Sequence, residues 1–137
     1  MKNGESGAVE IEHTADWELA VWASDLSGLF IEAARGMYRM MGAALRPGPR
    51  TTRKICIPGD DLESLLVGFL SELLFFGEQE RLGFDEFQIH FRKESLSAEM
   101  TGAPFVKISK EIKAVTYHKL AVRSSDRGYE ANVVFDV

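Results

Sequence analysis

Apolar residues recur every third or fourth position in two stretches of the chain, which predicts two amphipathic helices. Each stripe is wide enough to need an apolar surface to pack against, so we expect both helices to lie on a β-sheet. The first stripe consists of Leu29, Phe30, Ala33, Ala34, Met37, Tyr38 and Met41, and the second of Leu62, Leu65, Leu66, Phe69, Leu70, Leu73 and Leu74.

Polar and glycine residues mark where these helices begin and end. Ser24 or Asp25 is placed to accept a hydrogen bond from the free backbone N–H groups at the start of the first helix. Asp60 with Glu63 resembles a capping box at the start of the second helix. Gly77 is expected to end that helix, because glycine adopts the left-handed conformation of a helix C-cap.

Elsewhere apolar and polar residues alternate with period two, which predicts β-strands. Residues 9–13 and 17–23 precede the first helix, and residues 51–57 separate the two helices. After the second helix the alternation covers residues 87–91 and 96–100, is interrupted at 102–104, and continues over 111–118, 120–123 and 129–136. The predicted order is ββαβα followed by several strands. This is an α+β fold, with two helices packed on a mixed or mostly antiparallel sheet.

The chain of 137 residues is long enough to bury the core of one domain. We expect residues 1–7 to be a flexible tail and residues 8–137 to form the domain. No apolar run approaches the roughly 20 residues that span a bilayer, and the polar start does not resemble a secretory signal. Cys56 is the only cysteine, and its neighbours Ile55 and Ile57 suggest an inert thiol in the core. We therefore expect a cytoplasmic protein that does not contact membranes.

The net charge of −5 argues against direct binding of nucleic acid. A protein that holds a polyanion needs clustered Lys and Arg residues, whose contacts release counterions. Here the basic residues are scattered along an acidic chain with a pI near 5.2. If RNA is involved in the function, a partner is expected to carry it.

The sequence lacks the glycine-rich, nucleophile-elbow and histidine-pair motifs of common enzymes. His90 is expected to be a solvated side chain on the polar face of its strand. Among the carboxylates, Asp16 suits either a tight turn or a ligand, and Asp60 and Asp61 suit helix capping better than metal binding. Asp136 lies near the end of the chain, where a solvated side chain is the simplest interpretation. Residue patterns alone indicate only a small acidic α+β domain.

Four short motifs nevertheless occur in a specific order along the chain. They are Glu-His-Thr-Ala-Asp at 12–16, Gly-Asp-Asp-Leu-Glu-Ser-Leu-Leu at 59–66, Lys-Ala-Val-Thr-Tyr-His at 113–118 and Phe-Asp-Val at 135–137. Together these motifs resemble the archease family, and the resemblance covers nearly the whole chain.

The resemblance implies an accessory protein that activates the GTP-dependent RNA-splicing ligase by promoting its guanylylation and multiple turnover. The family's metal site corresponds here to Asp16, Asp136 and the α-carboxylate of Val137. These oxygen ligands suit a hard divalent cation, Ca²⁺ first and Mg²⁺ as the alternative. Lys113 and His118 are expected near the same sheet edge, with their roles open.

Two other functions are compatible with the same residues. A general chaperone, or a modulator of another RNA-modifying enzyme such as a tRNA methyltransferase, would act on other or several clients. A metal-dependent hydrolase would use Asp16 and Asp136 to hold the ion and His118 as a base, and would turn over substrate alone. We expect the accessory role and no catalysis by the chain itself.

Overall fold

The structure, a computed structural model, describes residues 5–11 and 16–137. These residues form two helices and nine strands. In chain order they are β1 (Gly7–Ile11), β2 (Trp17–Ala23), α1 (Leu26–Met40), β3 (Ala44–Leu45), β4 (Thr51–Pro58), α2 (Leu62–Glu80), β5 (Leu82–Arg92), β6 (Ser95–Lys107), β7 (Ala114–Thr116), β8 (Arg123–Ser125) and β9 (Gly128–Asp136). The predicted α+β class is confirmed, and the predicted order holds apart from the two-residue β3.

The strands pair into two antiparallel sheets, where one sheet was expected. The first has the order β1-β2-β9-β7, with β8 also pairing with β9. In the second, β6 is central and pairs with β3, β4 and β5. Helix α1 contacts β1, β2, β9 and β5, whereas α2 contacts β4, β5, β6 and β7. Each helix therefore joins the two sheets, because its broad apolar stripe is covered from both.

The predicted helix stripes form the centre of the core. Leu66, Phe69 and Phe30 have no solvent exposure. The ring of Phe30 lies 5.9 Å from that of Phe69 and meets Phe91 of β5 edge-on at 5.1 Å. Phe135 of β9 is also fully buried, so both sheets contribute to the same core. None of the described helices is long and apolar enough to cross a membrane.

Aspartates cap both helices, but the predicted capping box on α2 is wrong. Asp25 caps α1 by accepting a 2.7 Å hydrogen bond from the backbone three residues on. Asp61, not Asp60, caps α2 in the same way, also at 2.7 Å. The Glu63 carboxylate does not turn back to the cap. It accepts a 2.7 Å hydrogen bond from the backbone N–H of Val122, far along the chain.

Helix α2 does not end at Gly77, as predicted, but continues to Glu80. Arg81 adopts the left-handed conformation at the C-cap (φ 55°), and its N–H donates to the Gly77 carbonyl at 3.1 Å. Gly77 lies inside the helix where the ring of Phe105 approaches. A Cβ there would be 3.3 Å from the Phe105 Cε2 atom. The glycine therefore serves close packing, which a C-cap interpretation of the sequence missed.

The predicted interruption at residues 102–104 is also wrong, because β6 runs through it without a break. Pro104 is opposite Leu82 in the ladder with β5. A Cβ on Gly102 would lie 1.8 Å from the Gly83 carbonyl oxygen, so only glycine fits at this approach of two backbones. The pairing of β5 with β6 shifts register between Phe84 and Glu86, which marks a β-bulge beside it.

Cys56 is exposed, so the prediction of a core thiol is wrong. Strand β4 alternates, and it turns Ile57 (7% exposed) towards the core and Cys56 away from it. In an alternating strand, an outward-facing residue such as Cys56 has inward-facing, apolar neighbours on both sides.

Strand β1 begins at Gly7, two residues earlier than predicted, and Gly7 is opposite Trp22 in β2. Residues 1–4 of the predicted tail lie outside the described residues. So do residues 12–15, which include the end of the predicted first strand and most of the first archease-like motif.

Candidate metal site

The pairing of β2 with β9 brings two of the predicted ligands to the same end of the first sheet. Trp17 is opposite Phe135 in the antiparallel ladder, and Asp16 and Asp136 each stand one position beyond this pair. Opposed residues of antiparallel strands direct their side chains to the same face. The register therefore brings the backbone positions of Asp16 and Asp136 to the same end of the sheet.

The backbone on the β9 side of this pair is fixed by the sheet. Asp136 is opposite Ala114 of β7, and its carbonyl accepts a 2.8 Å hydrogen bond from the N–H of Lys113. Phe135 is fully buried, and Val137 packs partly buried against the core. The Asp136 side chain itself is exposed. A carboxylate that is exposed on a rigid backbone is a suitable first ligand for a cation.

Two lysines bring positive charge to the same end of the sheet. The Lys110 ammonium lies 4.8 Å from the centre of the Trp17 ring, a cation–π contact. The segment that carries it is held by Met41, whose carbonyl accepts hydrogen bonds from the N–H groups of Ser109 and Lys110 at 2.8 and 3.1 Å. Lys113 is exposed beside Ala114. No sequence pattern predicts the contact between Lys110 and Trp17, because it joins residues far apart in the chain.

The donor set suits a hard cation. Asp16 and Asp136 are exposed, and neither forms an ion pair with another described residue. Within residues 5–11 and 16–137, no three His, Cys, Asp or Glu side chains come together as metal ligands. Two carboxylates need a third oxygen to make a convincing Ca²⁺ site, and Val137, the third residue that the resemblance implies, directly follows Asp136. Metal binding by these residues stays a prediction.

His118 is not opposite the carboxylates. The predicted strand over 111–118 is reduced to β7, and it is Ala114 that faces Asp136. His118 follows on the loop after β7, where it is exposed and its N–H donates to the Thr116 hydroxyl at 3.2 Å. The ladder therefore does not favour His118 as a base acting on an ion held by Asp16 and Asp136.

A cavity of about 480 Å³ lies between α2 and the segment that leads into β7. Its lining includes Phe75, Phe105 and Ile112, with Glu78 and Lys113 among its charged residues. It forms where distant segments meet, so hydrophobic periodicity does not reveal it.

The comparisons with known proteins agree with this fold. Residues 9–137 match the profile of the Archease protein family. The protein archease of Methanosarcina acetivorans is 34% identical over 136 residues, which cover 93% of each chain. The solution structure of Methanobacterium thermoautotrophicum protein 1598 has a TM-score of 0.73 at 25% identity, over 96% of this chain and 99% of that one.

A crystal structure from Thermotoga maritima, described as an archease and possible chaperone, has a TM-score of 0.67 at 23% identity, over 93% of this chain and 94% of that one. This likeness supports the fold, a small α+β domain of two helices and antiparallel sheets. The profile match and the Methanosarcina relative establish more. The chain belongs to the archease family, and the resemblance found from its motifs is confirmed.

Proposed function

We propose that this archease is a cytoplasmic accessory protein that activates a GTP-dependent RNA-splicing ligase. It would promote guanylylation of the ligase and allow multiple turnover, without catalysing a reaction itself. Family membership over residues 9–137 supports the assignment. The structural observation that carries it is the pair of exposed carboxylates, Asp16 and Asp136, at adjoining strand ends.

In this proposal Asp16, Asp136 and the Val137 carboxylate hold a divalent cation, Ca²⁺ or alternatively Mg²⁺. The bound cation would neutralise the carboxylates and offer its remaining coordination positions to oxygen ligands of the partner. The protein itself would position the proposed ligands. The β2–β9 ladder ends at the pair of Trp17 and Phe135, one residue from each aspartate, and the hydrogen bond from Lys113 holds the backbone of Asp136.

The direct test is formation of the covalent ligase–GMP adduct. Purified cognate ligase is incubated with labelled GTP, and the labelled ligase is resolved on a gel with and without archease. We expect faster labelling at substoichiometric archease, and loss of the acceleration when a chelator removes Ca²⁺. Unchanged labelling at saturating archease would exclude the activator role.

Asp16→Ala tests the site within that assay. The variant should stay within about 1 kcal/mol of wild-type stability, since the side chain is exposed. It should lose heat of Ca²⁺ binding in titration calorimetry and should no longer accelerate labelling. Asp126→Ala is the matched control, because Asp126 is an exposed aspartate in the turn between β8 and β9, away from the Asp136 end of the sheet. Equal Ca²⁺ binding by both variants would remove Asp16 from the site.

A chaperone role is the second candidate, and the description of the Thermotoga maritima protein as a possible chaperone favours it. Phe75 and Val106, which are 53% and 57% exposed, are apolar surface that a chaperone would offer to unfolded clients. A chaperone would suppress aggregation of several unrelated enzymes, a tRNA methyltransferase among them, at ratios near one to one. The activator would affect one ligase at much lower ratios.

A further inference from the structure

The loop of residues 117–122, between β7 and β8, is anchored where it leaves β7. The Thr116 hydroxyl donates to the Val134 carbonyl at 2.9 Å and accepts from the N–H of His118 at 3.2 Å. The Leu120 N–H then donates to the Tyr117 carbonyl at 3.0 Å, which closes a tight turn. One hydroxyl thus ties the start of the loop to the central strand β9.

The far end of the loop is anchored to α2. Glu63, in the first turn of that helix, accepts the 2.7 Å hydrogen bond from the N–H of Val122. Leu120 and Val122 pack partly buried against the core. Lys119, which precedes them, holds a left-handed backbone (φ 56°). Hydrogen bonds therefore hold both ends of the loop, although it contains neither a helix nor a strand.

This ordered loop presents an aromatic residue to solvent. Tyr117 is 59% exposed, the highest value among the exposed large hydrophobic residues of the described chain. His118 and Lys119 beside it are also exposed. Lys119 is the only charged residue of the 117–122 loop, in a chain of net charge −5, and Arg123 directly after the loop pairs with Glu130. The loop therefore presents an aromatic side chain beside one cationic side chain.

We propose that the 117–122 loop docks onto an acidic surface of a partner protein, with Tyr117 filling an apolar pocket there. Aromatic residues dominate the binding energy of protein interfaces, and a loop that is ordered beforehand loses less entropy on binding. Lys119 and His118 would face carboxylates of the partner. The inference rests on the proposed function, in which that partner is the RNA ligase. The loop directly follows β7, the strand that pairs with Asp136.

Single-stranded RNA also stacks on aromatic residues within cationic surfaces. A protein partner is favoured here, because the loop offers one aromatic side chain rather than a series and the chain as a whole is acidic.

The test measures the Kd of archease variants for the purified ligase by titration calorimetry, with circular dichroism to verify the fold. Tyr117→Ala should weaken binding about tenfold or more, as truncation of an aromatic anchor does, and Tyr117→Phe should retain most of the affinity. Lys119→Glu should weaken binding and reduce its dependence on salt. Val9→Ala is the matched control, because it truncates a similarly exposed apolar side chain (51%) on β1 and should leave the Kd unchanged.

Glu63 is a positioning residue in this scheme, since its carboxylate contacts the loop backbone and not the solvent-facing side chains. Glu63→Ala should weaken ligase binding although the surface of the loop is unaltered, and Glu63→Gln should restore it, because the amide oxygen can accept the same hydrogen bond. If Tyr117→Ala binds the ligase as tightly as wild type does, the docking assignment is wrong while the activator role stands. If wild-type archease neither binds nor activates the ligase, the proposed function fails first. If Tyr117→Ala loses binding to an RNA oligonucleotide but keeps its affinity for the ligase, the loop binds RNA and not the ligase.

Discussion

Phe69 lies at the centre of the core, and its replacement by alanine measures how much that core stabilises the fold. The side chain has no solvent exposure, and its ring lies 5.9 Å from the rings of Phe30 and Phe87. A buried phenylalanine removes about 200 Å² from water, worth about 5 kcal/mol at roughly 25 cal/mol per Å². Measured losses for such truncations are about 3–5 kcal/mol, so we expect about 4 kcal/mol for Phe69→Ala.

Phe75→Ala on the same helix is the matched control. Its ring is 53% exposed, so truncation loses about half as much burial, leaves no closed cavity, and recovers some helix propensity. We expect a loss of about 1–2 kcal/mol. Urea unfolding followed by far-UV circular dichroism gives both values. With an m-value of about 2 kcal/mol per molar urea, the Phe69→Ala midpoint should fall by about 2 M. Equal losses for the two variants would mean that burial does not determine the stability of α2.

Individual contacts support three further predictions. Gly102→Ala should lower the free energy of unfolding in urea by about 3 kcal/mol or more, because its Cβ would lie 1.8 Å from the Gly83 carbonyl oxygen, which cannot move freely. An unchanged urea midpoint would contradict this close contact between the backbones of β5 and β6. The cap on α2 should make the free energy of unfolding depend on pH in acid. The hydrogen bond from the Ser64 backbone lowers the pKa of Asp61 below its ordinary 3.8. The stabilisation from the cap is therefore complete above pH 3.8 and is lost as the pH falls through the lowered pKa. Asp61→Asn, which caps without titrating, should lack this component in acid titrations of stability, and identical profiles would refute it. Adding two glycines after Val137 should weaken Ca²⁺ binding in calorimetry, because the α-carboxylate becomes an amide, whereas an extension before Met1 should not; equal affinities would remove Val137 from the site.

Local patterns predicted the helices well because each stripe has many members. Five of the seven residues of the α2 stripe are buried and the other two are half-buried, although Val67 was missed and the C-terminal end of the helix was placed too early. The errors concern single residues whose role depends on a distant neighbour. Gly77 lies inside the helix, where the ring of Phe105 approaches it, and the Glu63 carboxylate accepts from the N–H of Val122 instead of closing a capping box. Contacts of this kind join residues far apart in the chain, so no window of sequence contains both partners.

Strand alternation also predicts local features well and contacts between distant residues poorly. It fixes which residues of β4 face the core, so it explains both the burial of Ile57 and the exposure of Cys56. It does not say which strands are neighbours, and the expected single sheet became two. It also did not distinguish a glycine that breaks a strand from Gly102, which lets another backbone approach.

The positions of Asp16 and Asp136 at one end of the first sheet depend on register, and the hydrophobic pattern fixes that register once β2 and β9 are neighbours. Leu19 is opposite Val133, and both are buried, as are the pair Val21 and Ala131. A slip of one residue would turn the polar side chains of one strand towards the core, while the apolar side chains of the other strand stayed in the core. Each buried apolar side chain would then lose its apolar partner on the neighbouring strand. The free energy that excludes this slip comes from the core and not from the carboxylates. The backbone positions of Asp16 and Asp136 at this end of the sheet therefore follow from the packing of the core, and neither carboxylate forms an ion pair with another described residue.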